Sequence, residues 1–201
     1  MTRALKKRLS KRLSEILPKN WVQICNSYDI VGDIAIIRLT EESRKYSNKI
    51  GTAIMTANKH VRTVLAQTSA VSGEFRLRKL RHIAGEKRTQ TTHKESKCLF
   101  NVDVAKCYFS PRLSHGRKRI ADQVAEGETV VNMFAGVGCF SILIAKNAKV
   151  KKVFSIDVNP LAIKYMRENV GMNGVYGRSC RSWATLDRSS KKSCAVWQIG
   201  F

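Results

Sequence analysis

Hydrophobic and polar positions alternate along this chain in several distinct ways. Residues 4–17 place Leu5, Leu9, Leu13, Ile16 and Leu17 at helical spacing with Lys and Arg between them. That pattern predicts an amphipathic basic helix that packs by its leucine stripe and leaves its charges for water or a polyanion. Residues 28–39, YDIVGDIAIIRL, are a β-branched run interrupted by Gly32, which predicts a strand pair or one bent strand. Residues 41–66 predict helix, with Ile50, Ile54, Val61, Val64 and Leu65 as the apolar positions. Residues 71–84 alternate basic and apolar side chains. They predict an amphipathic strand with Phe75, Leu77 and Leu80 inward and Arg76, Arg78 and Arg81 outward. Residues 85–97 hold no large apolar side chain and predict an exposed loop or hairpin tip; residues 98–104, CLFNVDV, predict another strand.

The pattern changes from about residue 115. A helix over 115–125 is followed by the buried strand GETVVNMF, the turn AGVGCFS, the helix SILIAKNA, the strand KKVFSID and the helix NPLAIKYMRENV. Strand–helix–strand–helix with short loops means a parallel α/β sheet with crossover connections. After Arg178 no period of two or 3.6 is sustained. The predicted organisation is an α+β module over 1–114, the first half of a Rossmann-like domain over 115–178, and an aberrant, disordered tail over 179–201.

Charge adds a partner to this picture. With 37 Lys and Arg against 15 Asp and Glu, the net charge is +22. Such a balance favours phosphate-rich partners, because each neutralised phosphate releases counterions. The N-terminal module is therefore read as RNA-facing. No apolar run approaches the roughly 18 residues of a membrane span, and the basic first twenty residues lack the apolar stretch of a secretory signal. None of the six cysteines lies in a C-x-x-C pair and the four histidines show no ligand spacing, so no metal is expected. A cytoplasmic, monomeric protein with reduced thiols is the corresponding expectation.

The chemistry sits at residues 130–157. Val130 to Phe134 end a strand, Ala135–Gly136–Val137–Gly138 turn the chain, and a helix begins near Phe140. Two glycines let the backbone approach a ligand, and the helix start offers free N–H groups. Asp157 closes the second strand, where a carboxylate accepts hydrogen bonds from ribose hydroxyls. A dinucleotide fingerprint would need a third glycine, but Ser141 stands there. The pair of signals instead fits an S-adenosyl-L-methionine-dependent methyltransferase, where no pyrophosphate is seated.

NMFAGVGCFSILIAK, IDVNPLAIKYMRENV and above all DVAKCYFSPRLSHGRKRIA resemble the class I tRNA (guanine-N1)-methyltransferases that act at guanosine 37. The resemblance runs from about residue 10 to residue 178. It implies S-adenosyl-L-methionine as cofactor and tRNA as partner. It places Arg112 near the guanine O6, where it would stabilise charge as N1 loses its proton. It places Arg117 and Phe134 at the cofactor, Gly136 and Gly138 along its methionine end, and Asp157 with Val158 at its ribose and adenine. Tyr108 and Phe109 would stack on a base or pack beneath the loop. A sister family of wybutosine synthesis transfers an aminocarboxypropyl group and usually lacks the arginine of SPRL, so Arg112 favours methyl transfer. Asn132, Cys139 and Gly116 depart from the family's usual Asp, Pro and Glu.

The resemblance also implies a third strand, a Gly-Asp-Ala-Arg acid serving as general base, and a later Asn-Pro-Pro motif; residues 179–201 contain neither motif. With synonymous codons chosen for these residues, one extra G ahead of Ser179 shifts the frame to read VVPILGDARQIIEEELCGVADRV. The expectation is thus a copy truncated or frameshifted after about residue 178, with a non-catalytic RNA-binding remnant as the rival function.

Overall fold

The computed structural model describes residues 13–14 and 28–176, together with the strand backbone of 182–186 and 193–200. Most of the predicted basic helix at 4–17 lies outside the described residues. Leu13, on its stripe, is helical and fully buried. The chain divides into two compact units, Met1–Thr91 and Thr92–Phe201. That division falls earlier than the 114/115 boundary expected from the pattern.

In the first unit, β1 (Tyr28–Val31) and β2 (Ile34–Arg38) form a hairpin. Val31 pairs with Ile34, leaving a two-residue loop in which Gly32 supplies the positive φ of 56°. Helix α1 (Ser47–Ala57) follows, then β3 (Thr63–Gln67), which runs parallel to β2. β4 (Leu80–Gly85) pairs antiparallel with β3 and completes a four-stranded sheet in the order β1-β2-β3-β4. The helix predicted over 41–66 is thus only partly present. It ends at Asn58, whose backbone is extended, and Val64 and Leu65 are drawn into the sheet by pairing with Ala35 and Ile36. Of the strand predicted over 71–84 only the part from Leu80 onward is a strand, β4; the residues before it make a tight turn. Ser72 bridges Leu77, while Gly73 and Arg76 take positive φ, so Phe75 is exposed at the tip. One apolar cluster unites the unit: Ile50, Ala53, Ile54 and Ala57 on α1 pack against Ala35, Ile37, Val64, Ala66 and Ile83 on the sheet.

Strand β5 (Gln90–Glu95) carries the unit boundary and pairs with β6 (Cys98–Asp103). Ser96 and Lys97 between them both have positive φ, as a two-residue type I′ turn requires. The segment at 85–97, expected as an exposed loop or hairpin tip, is a strand over Gln90–Glu95 that runs into this hairpin turn. It lacks apolar side chains because its inward groups are polar and paired, as Glu95 shows below.

A short 310 turn (Pro111–Leu113) leads into α2 (Ser114–Gln123). Then β7 (Thr129–Asn132), α3 (Cys139–Asn147), β8 (Lys152–Asp157) and α4 (Pro160–Met172) follow as the pattern predicts. β7 and β8 are parallel, the arrangement that the strand–helix–strand pattern requires. Over 179–201, where an irregular tail was expected, the structure has β9 (Ser182–Leu186) and β10 (Ser193–Gly200). β10 pairs antiparallel with β8 and with β9, giving the order β7-β8-β10-β9. β7 is an edge strand, and Val131, Met133 and Phe134 at its end are 57, 63 and 88% exposed.

No helix among the described residues is long and apolar enough to cross a membrane.

Candidate functional site

The glycine turn is built from one constraint per glycine. Gly138 is the N-cap of α3 with φ of 90°; a Cβ there would lie 2.7 Å from Met166 Cγ and 2.9 Å from Ile142 Cδ1. It is glycine so that α3 and α4 can pack closely. Gly136, with φ of 54°, is different, because a Cβ there would meet only the Tyr108 carbonyl, 3.9 Å away. Its missing side chain leaves open space over backbone that can approach a ligand.

Asp157 locks this turn to the end of β8. Its Oδ2 accepts from the Gly136 N–H at 2.6 Å and its Oδ1 from the Asn159 N–H at 2.9 Å. Each carboxylate oxygen has a second acceptor direction, so the group can hold the turn and still receive a hydroxyl. Asn159 then caps α4: its Oδ1 accepts from Leu161 N at 3.0 Å, ahead of Pro160 in the first turn. Its Nδ2 donates to the Lys106 carbonyl at 2.8 Å.

That last bond brings in the second predicted motif. The segment from Asp103 to Leu113 is pinned at three points. The Asp103 carboxylate accepts from the Ala105 N–H at 3.0 Å, Asn159 holds Lys106, and Arg117 Nη2 donates to the Ser110 carbonyl at 3.2 Å. YFSPRL therefore runs beside the glycine turn, with the Tyr108 carbonyl nearest Gly136. Arg112 and Leu113 are exposed on the 310 turn, and Tyr108 is 43% exposed while Phe109 is buried. Phe109 thus packs inside, while Tyr108 reaches solvent.

Arg117, which the resemblance placed at the cofactor, is engaged by Glu95. It is buried, with Nε donating to Glu95 Oε1 at 2.7 Å and Nη2 to Oε2 at 2.5 Å. Its guanidinium also stands 5.5 Å from the Phe109 ring centre. A fork-to-fork pair of this kind fixes geometry on both sides. Burial by itself would raise the Glu95 carboxyl, but hydrogen bonds from Arg117 and His93 outweigh it and hold it below the usual range. Arg117 is thus a strut between β5 and the SPRL turn.

The three family departures have visible settings. Asn132 Nδ2 donates to Ser141 Oγ at 3.0 Å, and Ser155 Oγ donates to the same oxygen at 2.7 Å. An aspartate at 132 would have to accept from Ser141 instead, which reverses this buried network. Cys139 opens α3 inside the core, where burial pushes its thiol up to about 12. Gly116 lies within α2 with nothing within 4 Å of a notional Cβ.

Phe134 and Val158 flank the turn, the first exposed and the second half-buried. Among the described residues no cluster of three or more His, Cys, Asp or Glu is arranged to hold a metal ion.

Glu95, Asn159, Asn169 and Asn173 were not singled out by the sequence reading. Asn159-Pro160 carries a legible helix-start signal. Asn169 and Asn173 are spaced one turn apart on α4. Asn169 bonds both the N–H and the carbonyl of Asn101, at 2.7 and 3.1 Å, and Asn173 does the same for Leu99 at 2.9 and 2.7 Å. Two side-chain amides thus complete the edge of β6 as a neighbouring strand would. Asn169 Nδ2 also donates to the Val137 carbonyl at 2.9 Å, inside the glycine turn.

A parallel β7–β8 pair, a glycine turn at the carboxyl end of the first strand and an acid at the end of the second define a Rossmann-like class I methyltransferase domain. Comparison with known proteins agrees. Residues 91–182 match the TRM5/TYW2 methyltransferase domain and residues 1–89 the TYW2 N-terminal domain. The tRNA (guanine(37)-N(1))-methyltransferase Trm5b of Pyrococcus abyssi is 50% identical over 149 residues, 74% of this chain and 44% of that protein. The crystal structure of P. abyssi Trm5b superposes with a TM-score of 0.71 at 46% identity, covering 79% of this chain and 48% of that one. The structure of aTrm5 in complex with tRNALeu gives a TM-score of 0.75 at 28% identity, covering 98% and 78%. P. horikoshii TYW2 in complex with MeSAdo gives 0.66 at 32% identity, covering 85% and 60%. The chain belongs to the TRM5/TYW2 methyltransferase family. It spans about half the length of the curated relatives it matches.

Proposed function

We propose that this chain carries the cofactor loop and base-facing segment of an S-adenosyl-L-methionine-dependent enzyme that methylates N1 of guanosine 37 in tRNA. The observation that carries the reading is the junction of two motifs: the Gly136 turn held by Asp157, and SPRL pinned beside it through Asn159 and Arg117. The open space at Gly136 and the carboxylate of Asp157 fit an adenosyl ligand.

S-adenosyl-L-methionine supplies an electrophilic methyl group when bound. In this reading Gly136 lets backbone approach the cofactor's methionine end, and Asp157 with Val158 faces its ribose and adenine. Phe134 and Gly138 border the same loop. Arg112, exposed on the 310 turn, stabilises the negative charge that develops on the guanine O6 as N1 is deprotonated. Glu95 and Arg117 keep that turn in place. The general base belongs to the Gly-Asp-Ala-Arg motif that residues 179–201 lack.

The match of residues 1–89 to the TYW2 N-terminal domain favours one second reading, transfer of the aminocarboxypropyl group of the same cofactor. Arg112 counts against it. Incubation of the chain with an unmodified tRNA transcript and cofactor labelled in either the methyl or the carboxyl carbon separates the readings. Methyl label at N1 of guanosine 37, lost in a transcript with adenosine at 37, would support the first reading. Carboxyl label would install the second reading. No label from either position, with salt-sensitive tRNA binding retained, would leave a non-catalytic RNA-binding remnant.

A further inference from the structure

We propose that the crevice at the carboxyl ends of β2 and β3 is a binding site for a phosphodiester of RNA. β2 and β3 are parallel and end level with each other, Arg38 opposite Gln67. Parallel strands that stop together leave a crevice beyond their carboxyl ends, where ligands are commonly held. Here the crevice is a cavity of about 510 Å³, lined among others by Arg38, Leu39, Arg44, Gln67, Ser69 and Val71.

Local bonding fixes these walls. Ser43, buried, accepts from Thr40 Oγ1 at 3.1 Å, and the Arg44 N–H donates to the Thr40 carbonyl at 3.1 Å, so the 310 turn Glu42–Tyr46 holds Arg44 at the strand ends. On the opposite wall Gln67 Nε2 donates to the Ser69 carbonyl at 2.7 Å. The Lys79 N–H donates to Ser69 Oγ at 2.9 Å. The polar groups of that wall are therefore committed within the protein, and the charged donors that remain are the two guanidinium groups.

Arg38 touches Gln67 Oε1 only at 3.4 Å, and Arg44 pairs with Glu41, which is 80% exposed. Neither partner is a buried carboxylate, and among the described residues no Asp or Glu lines the crevice. Two planar guanidinium forks match phosphate oxygens, and an incoming phosphate can displace a solvent-exposed glutamate. Leu39, Ala70 and Val71 add an apolar wall against which a ribose or base can lie. The chain's +22 charge makes RNA the polyanion that supplies the phosphate.

The choice of RNA rests on the function proposed above, but the test reads binding and not methyl transfer, so the two can fail separately. Affinity for an unmodified tRNA transcript is measured across a series of KCl concentrations for the full chain. The same series is run for Arg38→Gln/Arg44→Gln, for the charge-retaining Arg38→Lys/Arg44→Lys and for the control Lys59→Ala/Lys87→Ala. The control removes the same charge from exposed positions elsewhere in the unit. The glutamine pair is expected to bind on the order of tenfold more weakly, with a salt slope shallower by about one, while the lysine pair retains most of the slope. Equal losses in the glutamine pair and the control, or no loss in either, would overturn the site. Inorganic phosphate is titrated into each protein at constant ionic strength, followed by the arginine side-chain resonances. If phosphate binds only with the arginines present, yet tRNA affinity is unchanged in the glutamine pair, a free phosphate replaces RNA and the proposal falls.

Discussion

The two units of this chain are held together by different means. Among the described residues of 1–91 an apolar cluster joins α1 to a four-stranded sheet. From residue 92 onward the elements that carry the candidate site are joined by buried polar side chains as well: Glu95 with Arg117, Ser141 with Ser155, and Asn159 and Asn169 with backbone groups. Apolar contact is non-directional and tolerates small shifts, whereas hydrogen bonds fix distance and orientation. The unit that carries the glycine turn uses the directional kind as well.

The comparison can be broken most sharply at Glu95. Glu95→Ala leaves a buried guanidinium unpaired and is expected to destabilise the chain by about 3–5 kcal/mol, read by urea unfolding. The double change Glu95→Leu/Arg117→Met should recover most of that loss while leaving the SPRL turn less ordered, visible as increased proteolysis near Ser110. Full loss of folding in the double variant as well would show that the pair does more than satisfy its own charges.

In the other unit Ile54→Ala, fully buried on α1, should remove about 2–5 kcal/mol through lost burial and a residual cavity. Its effect should stay within residues 1–91 by hydrogen exchange. Asn169→Ala should remove about 1–3 kcal/mol, since the Asn101 N–H and the Asn101 and Val137 carbonyls lose partners. Unlike Ile54→Ala, it should raise exchange in both β6 and the glycine turn.

Within the turn itself the two glycines should part company. Gly138→Ala combines positive φ with a clash against Met166 and is expected to cost more stability than Gly136→Ala, each on the order of 1–3 kcal/mol. Gly136→Ala should be the one that weakens cofactor binding in calorimetry. The opposite ranking would mean that the space at Gly136 is not used.

The gentlest probe is pH. The carboxyls of Glu95 and Asp33 are both held below their ordinary values: for each, burial acts upward and is outweighed by hydrogen bonds, from Arg117 and His93 for Glu95 and from Arg88 and Thr91 for Asp33. A depressed folded-state value stabilises the protein above the unfolded-state value and is lost as pH falls through the folded one. Urea midpoints should therefore change little between about pH 7 and 5 and fall below about pH 4. A midpoint that rises on acidification would contradict the two assignments.

Much of the second unit could be read from residue order. The alternation of short apolar runs with helical spacing located β7, α3, β8 and α4, and two glycines followed by Asp157 located the turn and its acid. These signals are local: a period of two or 3.6 reflects which face is buried, and a turn at positive φ calls for glycine. The first unit was less legible around 58–84. There the same β-branched residues suited a helix or a strand, and pairing with β2 decided for the strand. The Glu95 partner of Arg117 was illegible for a related reason, because an arginine in a site motif can touch a ligand or a buried carboxylate with equal chemical fitness.

The amino-acid sequence by itself determined the strand–helix–strand order, the positive charge, the glycine turn and its acid, and the SPRL motif. Only the tertiary structure decided that Glu95 holds Arg117, that Asn169 and Asn173 complete the edge of β6, and that SPRL lies beside the turn. Those bonds join positions up to 74 residues apart, and no local period reports on a partner at that distance. They form because a buried polar group left alone is expensive, and the fold settles where each finds its match.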